Sequence, residues 1–119
     1  MEKIVLRRII YLKNPIPDPQ GAPGKPTRAY SIVRVDAPIT DSSLIHIVAI
    51  TSEMPIKHDP NFVALKYGPN NPSGLKIKCA AHCGWSADTP ISNIRDFGRL
   101  IDADELNRIL LRLKELKRG

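Results

Sequence analysis

Prolines are the feature that most constrains the fold of this chain. The 119-residue sequence contains 11 prolines, and five of them lie within residues 13–27 together with Gly21 and Gly24. Proline fixes φ and lacks a backbone donor, so a segment this rich in proline cannot form a helix interior or a central strand. We therefore expect a long loop over residues 13–27. Because long loops in compact domains are commonly lids or binding loops, this loop is a candidate flap over a substrate.

Short apolar runs between the turn-forming residues predict five β-strands. Most of them alternate apolar and polar residues, whereas residues 44–50 are almost continuously apolar and indicate a central strand buried on both faces. Strands joined by turns favour an antiparallel barrel or sandwich over a parallel sheet. The predicted strands cover residues 4–12, 28–37, 44–50, 61–67 and 75–81, with a turn at 68–74 between the last two.

The C-terminus predicts one helix over about residues 102–117. Asp102 can cap its start with Glu105 three residues later, which is the capping-box pattern. An apolar stripe at helical spacing follows, formed by Leu106, Ile109, Leu110, Leu113 and Leu116. The length suits one core, so we expect a single domain over residues 1–119 that is mainly β with a C-terminal helix.

The charge balance favours a polyanionic partner. The formal net charge is +6, and the lysines and arginines are spread along the whole chain. Such a surface raises encounter rates with nucleic acid or an acidic protein, although solubility alone would also account for it. Two cysteines argue against a disulfide-stapled secreted scaffold, and no apolar run is long enough to span a membrane. We expect a cytoplasmic protein without membrane contact.

The segment around the two cysteines resembles a metal site only at first sight. Cys79, His82 and Cys83 would supply three ligands, whereas structural zinc needs four. We expect no metal and no cofactor, with Cys79 buried on a strand and a turn at residues 82–84. Trp85 is the single tryptophan and could stack on a base, although a place in the core or in a dimer interface is commoner.

Two segments place polar side chains where a loop meets a strand. Arg28 ends the proline-rich loop, while Thr51 and Ser52 end the strand predicted at 44–50. When the 2′-hydroxyl of RNA attacks the neighbouring phosphorus, the resulting phosphorane carries extra negative charge. A guanidinium matches two phosphate oxygens, and a hydroxyl can donate to the same group. The alternative is that Arg28 lies on the surface at a strand entry and Thr51 simply ends a strand.

A proton acceptor is harder to identify from the sequence. Arginine is a poor base because its pKa lies above about 12. His58 follows Thr51 in the chain and is a candidate because histidine titrates near neutral pH. His46 lies inside an apolar strand and is better explained as a core or interface residue. The lysines expected to follow the phosphates of RNA are Lys25, Lys57, Lys76 and Lys78.

The chain resembles the MazF/PemK toxins, which are small endoribonucleases. The matching segments are residues 9–11, 17–21, 50–52, 73–75 and 97–100, together with Arg28. The resemblance implies a small SH3-like antiparallel barrel of the PemK/CcdB type and sequence-selective, metal-independent cleavage of single-stranded RNA. It further implies that Arg28 and Thr51 are the catalytic pair, that the protein is a homodimer, and that an acidic antitoxin protein binds it.

Departures from the family pattern leave alternatives open. Ala29 stands where a proline commonly follows the arginine, Arg7 and Arg8 replace a small-acidic pair, and Gly84 stands where an acidic residue is common. These departures motivate a second hypothesis, in which the protein is a catalytically weak relative that binds RNA or protein. A third hypothesis, a gyrase poison like the CcdB proteins, is disfavoured because the chain lacks their Trp-Gly-Ile ending.

Overall fold

The protein is one antiparallel sheet with a single helix at the C-terminal end. A computed structural model describes residues 3–21 and 23–118. The strand order is β4-β5-β3-β2-β1-β6, and each neighbouring pair is antiparallel. The predicted class, mainly β with a C-terminal helix, is therefore confirmed. The elements are β1 (Arg8–Leu12), β2 (Ala29–Val35), β3 (Leu44–Thr51), β4 (Phe62–Leu65), β5 (Cys79–Pro90), a 3-10 turn (Ile91–Asn93), β6 (Ile94–Leu100) and α1 (Ala103–Arg118).

Both faces of the sheet are covered by apolar side chains. In β3, Val48 and Ile50 belong to the cluster under α1, whereas Ile47 and Ala49 belong to the cluster on the opposite face. This two-sided burial explains the continuous apolar run and confirms the predicted central strand. Ile16 of the proline-rich loop packs against the second cluster. A small sheet with both faces buried is consistent with the predicted barrel.

The helix begins with the predicted capping box. The Asp102 backbone N–H donates to Glu105 Oε1 at 3.0 Å, and the Asp104 N–H donates to Asp102 Oδ1 at 3.1 Å. The buried Leu106 and Ile109 attach α1 to the sheet. The predicted helix is confirmed to within a residue at each end. No helix in the described part of the chain is both long and apolar enough to cross a membrane.

The strand predicted at 75–81 and the turn predicted at 82–84 were wrong. β5 begins at Cys79 and continues to Pro90. Where the turn was expected, the pairing with β3 shifts, because Ala49 pairs with His82 while Val48 pairs with Ser86. Residues 83–85 therefore form a bulge inside a long strand, and Gly84 lies in that bulge.

Two further strand predictions needed correction. β6 was not predicted, because it is an edge strand whose residues are exposed or half-buried and so show no apolar run. The first strand starts at Arg8 instead of residue 4, because Arg7 has a positive φ of 76° and interrupts the extended backbone. The Arg7 side chain donates to the Ile101 carbonyl at 2.8 Å, which ties this turn to the start of the helix. The described part of the predicted loop, residues 13–21 and 23–27, contains neither helix nor strand.

Candidate active site

Arg28 is fixed by contacts on two sides. It lies between the proline-rich loop and β2, and its Nη1 donates to the Ile50 carbonyl at 2.9 Å. Its Cζ lies 4.5 Å from the ring centroid of Trp85, within cation–π range. Nε is buried and has no hydrogen-bond partner among the described residues. These contacts hold the half-buried guanidinium in one place, unlike an unconstrained surface side chain.

Thr51 and Ser52 differ in burial. Thr51 ends β3, is 5% exposed, and accepts a hydrogen bond from the Glu53 N–H at 3.1 Å through Oγ1. A hydroxyl that accepts in this way still has its own hydrogen to donate. Ser52 is exposed. Thr51 is therefore the more rigidly held of the two hydroxyls.

Two clefts share Thr51 as a lining residue. The first, of about 260 Å³, is lined by the polar residues Lys25, Arg28, Thr51, Ser52 and Lys76. The second, of about 390 Å³, is lined by Thr51 together with Asp18, Gln20, Glu53, Asn61, Phe62, His82 and Trp85. The proline-rich loop contributes to both clefts. The role of this loop as a flap over a substrate stays a prediction.

The bulge in β5 brings Trp85 to the second cleft. Cys79 and Cys83 belong to the cluster under the helix, so strand alternation directs His82 to the opposite face. Simple alternation would return Trp85 to the helix side. The shift at residues 83–85 reverses this, and Trp85 belongs to the same cluster as Tyr30 and Ala49. His82 and Trp85 consequently line one cleft with Thr51.

His82 is a functional candidate that the sequence analysis considered only as a metal ligand. Its ring stacks on Phe62 at a centroid distance of 4.2 Å and meets the edge of Trp85 at 6.3 Å. Burial lowers the pKa of His82, and the charges of Asp59 and Asp18 oppose this shift. The neutral imidazole can accept a proton. Strand alternation from Cys79 would have placed His82 on the sheet face opposite the helix, but the predicted strand ended at Ala81.

The other predicted site residues divide into two groups. Lys25 and Lys76 line the first cleft, and Lys25 also pairs with Glu53 at 3.4 Å. The exposed His58, Lys57 and Lys78 do not line either cleft. His46 is half-buried, and its Nδ1 lies 2.8 Å from an Asp88 oxygen, in agreement with a satisfied histidine.

The three residues considered as zinc ligands do not face a common point. Cys79 and Cys83 are free, buried thiols under the helix, and His82 lies on the other face of the sheet. Burial raises the pKa of Cys83 to about 11 and also raises the pKa of Cys79, which favours the neutral thiols. Burial of Cys79 was predicted correctly.

Comparison of the sequence with protein-family models and with curated proteins finds no match. The functional interpretation therefore depends on the residues of the two clefts. The first cleft offers a guanidinium, the second an imidazole, and both offer the Thr51 hydroxyl, which are groups suited to phosphate chemistry.

Proposed function

We propose that the protein is a sequence-selective, metal-independent endoribonuclease of the MazF/PemK type that cleaves single-stranded RNA. The observation that carries this proposal is that Arg28 and His82 line two clefts that share Thr51, and that Arg28 packs on Trp85 of the second cleft. The basic side chains of Lys25 and Lys76 line the same region. Single strands suit such a site because their sugars and bases are accessible, whereas a duplex hides the bases.

The proposed reaction is a transesterification within the RNA, in which the phosphoryl group passes from the 5′-oxygen to the 2′-oxygen. The 2′-oxygen forms a bond to phosphorus and its proton passes to His82 Nε2, while the bond from phosphorus to the 5′-oxygen breaks. The leaving 5′-oxygen takes a proton, from the imidazolium or from water. The products are a 2′,3′-cyclic phosphate and a free 5′-hydroxyl.

Arg28 and Thr51 would stabilise the charge that develops on the phosphate oxygens. A guanidinium is a permanently cationic donor, and the Trp85 and Ile50 contacts orient that of Arg28 before substrate arrives. Thr51 would donate its hydroxyl hydrogen to one oxygen. Donors fixed in advance are the most effective form of such stabilisation. Arg28 supplies the cationic charge that a metal ion provides in other nucleases.

The partners implied by the resemblance belong to the same proposal. An acidic antitoxin protein is compatible with the net charge of +6. A homodimer in the cytoplasm completes the proposed biological setting, and a mass measurement in solution tests the dimer.

Conservative variants test the catalytic assignment in the presence of a chelator. We expect Arg28→Lys and Thr51→Val each to reduce cleavage of a long single-stranded RNA, by on the order of 10² to 10³-fold for Arg28. Arg34→Lys is the matched control, because Arg34 is exposed and lines neither cleft. Undiminished cleavage by Arg28→Lys would contradict the proposal, as would a wild-type protein that cuts nothing.

A catalytically weak RNA-binding relative is the second candidate. Two observations favour it: Nη1 of Arg28 is already engaged by Ile50, and Gly84 provides no carboxylate. This alternative predicts salt-dependent RNA binding without cleavage. Measuring binding and cleavage on the same RNA separates the two functions.

A further inference from the structure

We propose that the second cleft selects a nucleobase with a carbonyl at the pyrimidine 4 or purine 6 position, uracil or guanine, and that Asn61 is the residue that makes this selection. The inference rests on the proposed function, because it assumes an RNA substrate. Three features carry it: the fixed orientation of the Asn61 amide, the space at Gly84, and the aromatic lining of the cleft.

Arg112 determines which way the Asn61 amide points. Arg112 Nε donates to Asn61 Oδ1 at 2.7 Å, and its Nη1 is held by Glu115 at 2.9 Å. A guanidinium only donates, so the amide oxygen must face Arg112 and Nδ2 must face away from it. The Asn61 carbonyl also accepts the Cys83 N–H at 2.7 Å. The side-chain oxygen of Asn61 is therefore held by α1 and its backbone carbonyl by β5, and together these contacts fix the direction of Nδ2.

Gly84 has no side chain, so the space next to Asn61 Nδ2 is open. A Cβ at Gly84 would lie 3.1 Å from His82 Nε2 and 3.7 Å from Asn61 Nδ2. An acceptor atom near this position could receive a hydrogen bond from Asn61. Because Gly84 does not have a positive φ, the backbone there tolerates an alanine, which would fill the space and crowd His82 Nε2.

The walls of the cleft suit a planar ring. Phe62 and His82 form a stacked pair, and Trp85 meets His82 edge-on. Aromatic side chains are the usual surfaces on which unpaired bases stack. O4 of uracil or O6 of guanine would accept from Asn61 Nδ2, whereas the amino group at the same position of cytosine or adenine would oppose one donor with another. Such a mismatch leaves the donor unpaired and lowers affinity.

Trp85 provides a direct readout, because it is the single tryptophan and lines the cleft. The probes are the 3′-monophosphates of uridine, guanosine, cytidine and adenosine, titrated while Trp85 fluorescence is recorded. We expect the two carbonyl bases to bind about tenfold more tightly than the two amino bases. Asn61→Asp should reverse this order, since its carboxylate still pairs with Arg112 but presents an acceptor to the cleft. Gly84→Ala should weaken binding of the uridine and guanosine probes.

Asn70→Asp is the matched control, because Asn70 is exposed and does not line the cleft. It should keep the wild-type order of affinities, and thermal melting establishes that Asn61→Asp is folded. Equal affinity for the four probes, or an unchanged order in folded Asn61→Asp, would overturn the inference. None of these titrations requires cleavage. A preserved base preference without RNA cleavage would contradict the nuclease and still support the base subsite.

Discussion

At the scale of single residues, the contact between Arg28 and Trp85 does most to define the site. The place of Arg28 at the junction of the proline-rich loop and β2 could be predicted from the sequence, whereas its catalytic role, implied by the resemblance, stays a prediction. The aromatic partner of Arg28 could not be predicted, because the bulge that turns Trp85 toward it depends on pairing with β3. The unpaired, buried Nε of Arg28 costs roughly 1 to 3 kcal/mol.

The pH dependence of cleavage tests His82 as the proton acceptor. Burial lowers its pKa, so the neutral imidazole persists to a lower pH than in an ordinary histidine, whose pKa is about 6.5. We therefore expect the cleavage rate to fall only at a pH below the one at which an ordinary histidine takes up its proton. His82→Asn should reduce the rate by on the order of 10² to 10⁴-fold. His58→Ala is the control, and a loss of the acidic limb in that variant would instead support His58.

The same residue should affect stability in acid. The folded pKa of His82 is below the unfolded value, so the unfolded chain binds more protons as the pH falls through about 6.5. The stabilising contribution of the neutral ring is fully present above about pH 6.5 and is lost as the pH decreases toward the folded pKa of His82. Chemical denaturation across this range should give a shallower pH dependence for His82→Asn than for the wild type. Identical slopes would show that His82 is not buried as described.

At the scale of elements, those whose determining residues lie close together in the sequence could be predicted, and those that depend on distant strands could not. α1 could be predicted because its cap and stripe lie within a few residues of one another in the sequence. The full length of β5 could not, because residues 82–84 have turn-like composition, and the strand continues past them through the pairing of His82 and Ser86 with β3 on either side of the bulge. β6 carries little apolar signal because it is an edge strand. The loop at residues 13–27 was predictable from proline alone.

The attachment of α1 depends on Glu105. This carboxylate is 3% exposed and accepts two backbone N–H groups, those of Asp102 and Lys66. Glu105→Ala would leave both donors unpaired, and we expect it to lower the free energy of unfolding by about 2 kcal/mol or more. Asn107→Ala on the exposed side of α1 should change it by less than about 0.5 kcal/mol. Urea denaturation measures both, and equal effects would contradict this role.

At the scale of the whole molecule, the fold gathers basic residues that lie far apart in the sequence. The net charge of +6 is spread along the sequence, yet the fold brings Lys25, Arg28 and Lys76 to one cleft. Composition therefore predicted an anionic partner, whereas the selection among the basic residues required the fold. Lys57 and Lys78 have the same chemistry but lie outside that cleft.

Salt dependence of RNA binding distinguishes these lysines. Each phosphate contact on single-stranded RNA contributes about 0.7 to the slope of log affinity against log salt concentration. Lys76→Ala should reduce the slope by roughly that amount. Lys57→Ala should leave it nearly unchanged. Equal reductions in the two variants would show that the bound strand does not follow the first cleft.

The chemistry of the product ends tests the central claim most directly. Purified protein is incubated with a single-stranded RNA in chelator, alongside the same RNA with a 2′-deoxy sugar at the mapped cleavage site. Attack by the 2′-hydroxyl predicts a 2′,3′-cyclic phosphate and a free 5′-hydroxyl from the first RNA, and no cleavage of the second. Cleavage of the deoxy-substituted RNA at that site, or a product carrying a 5′-phosphate, would contradict the proposed role of the clefts.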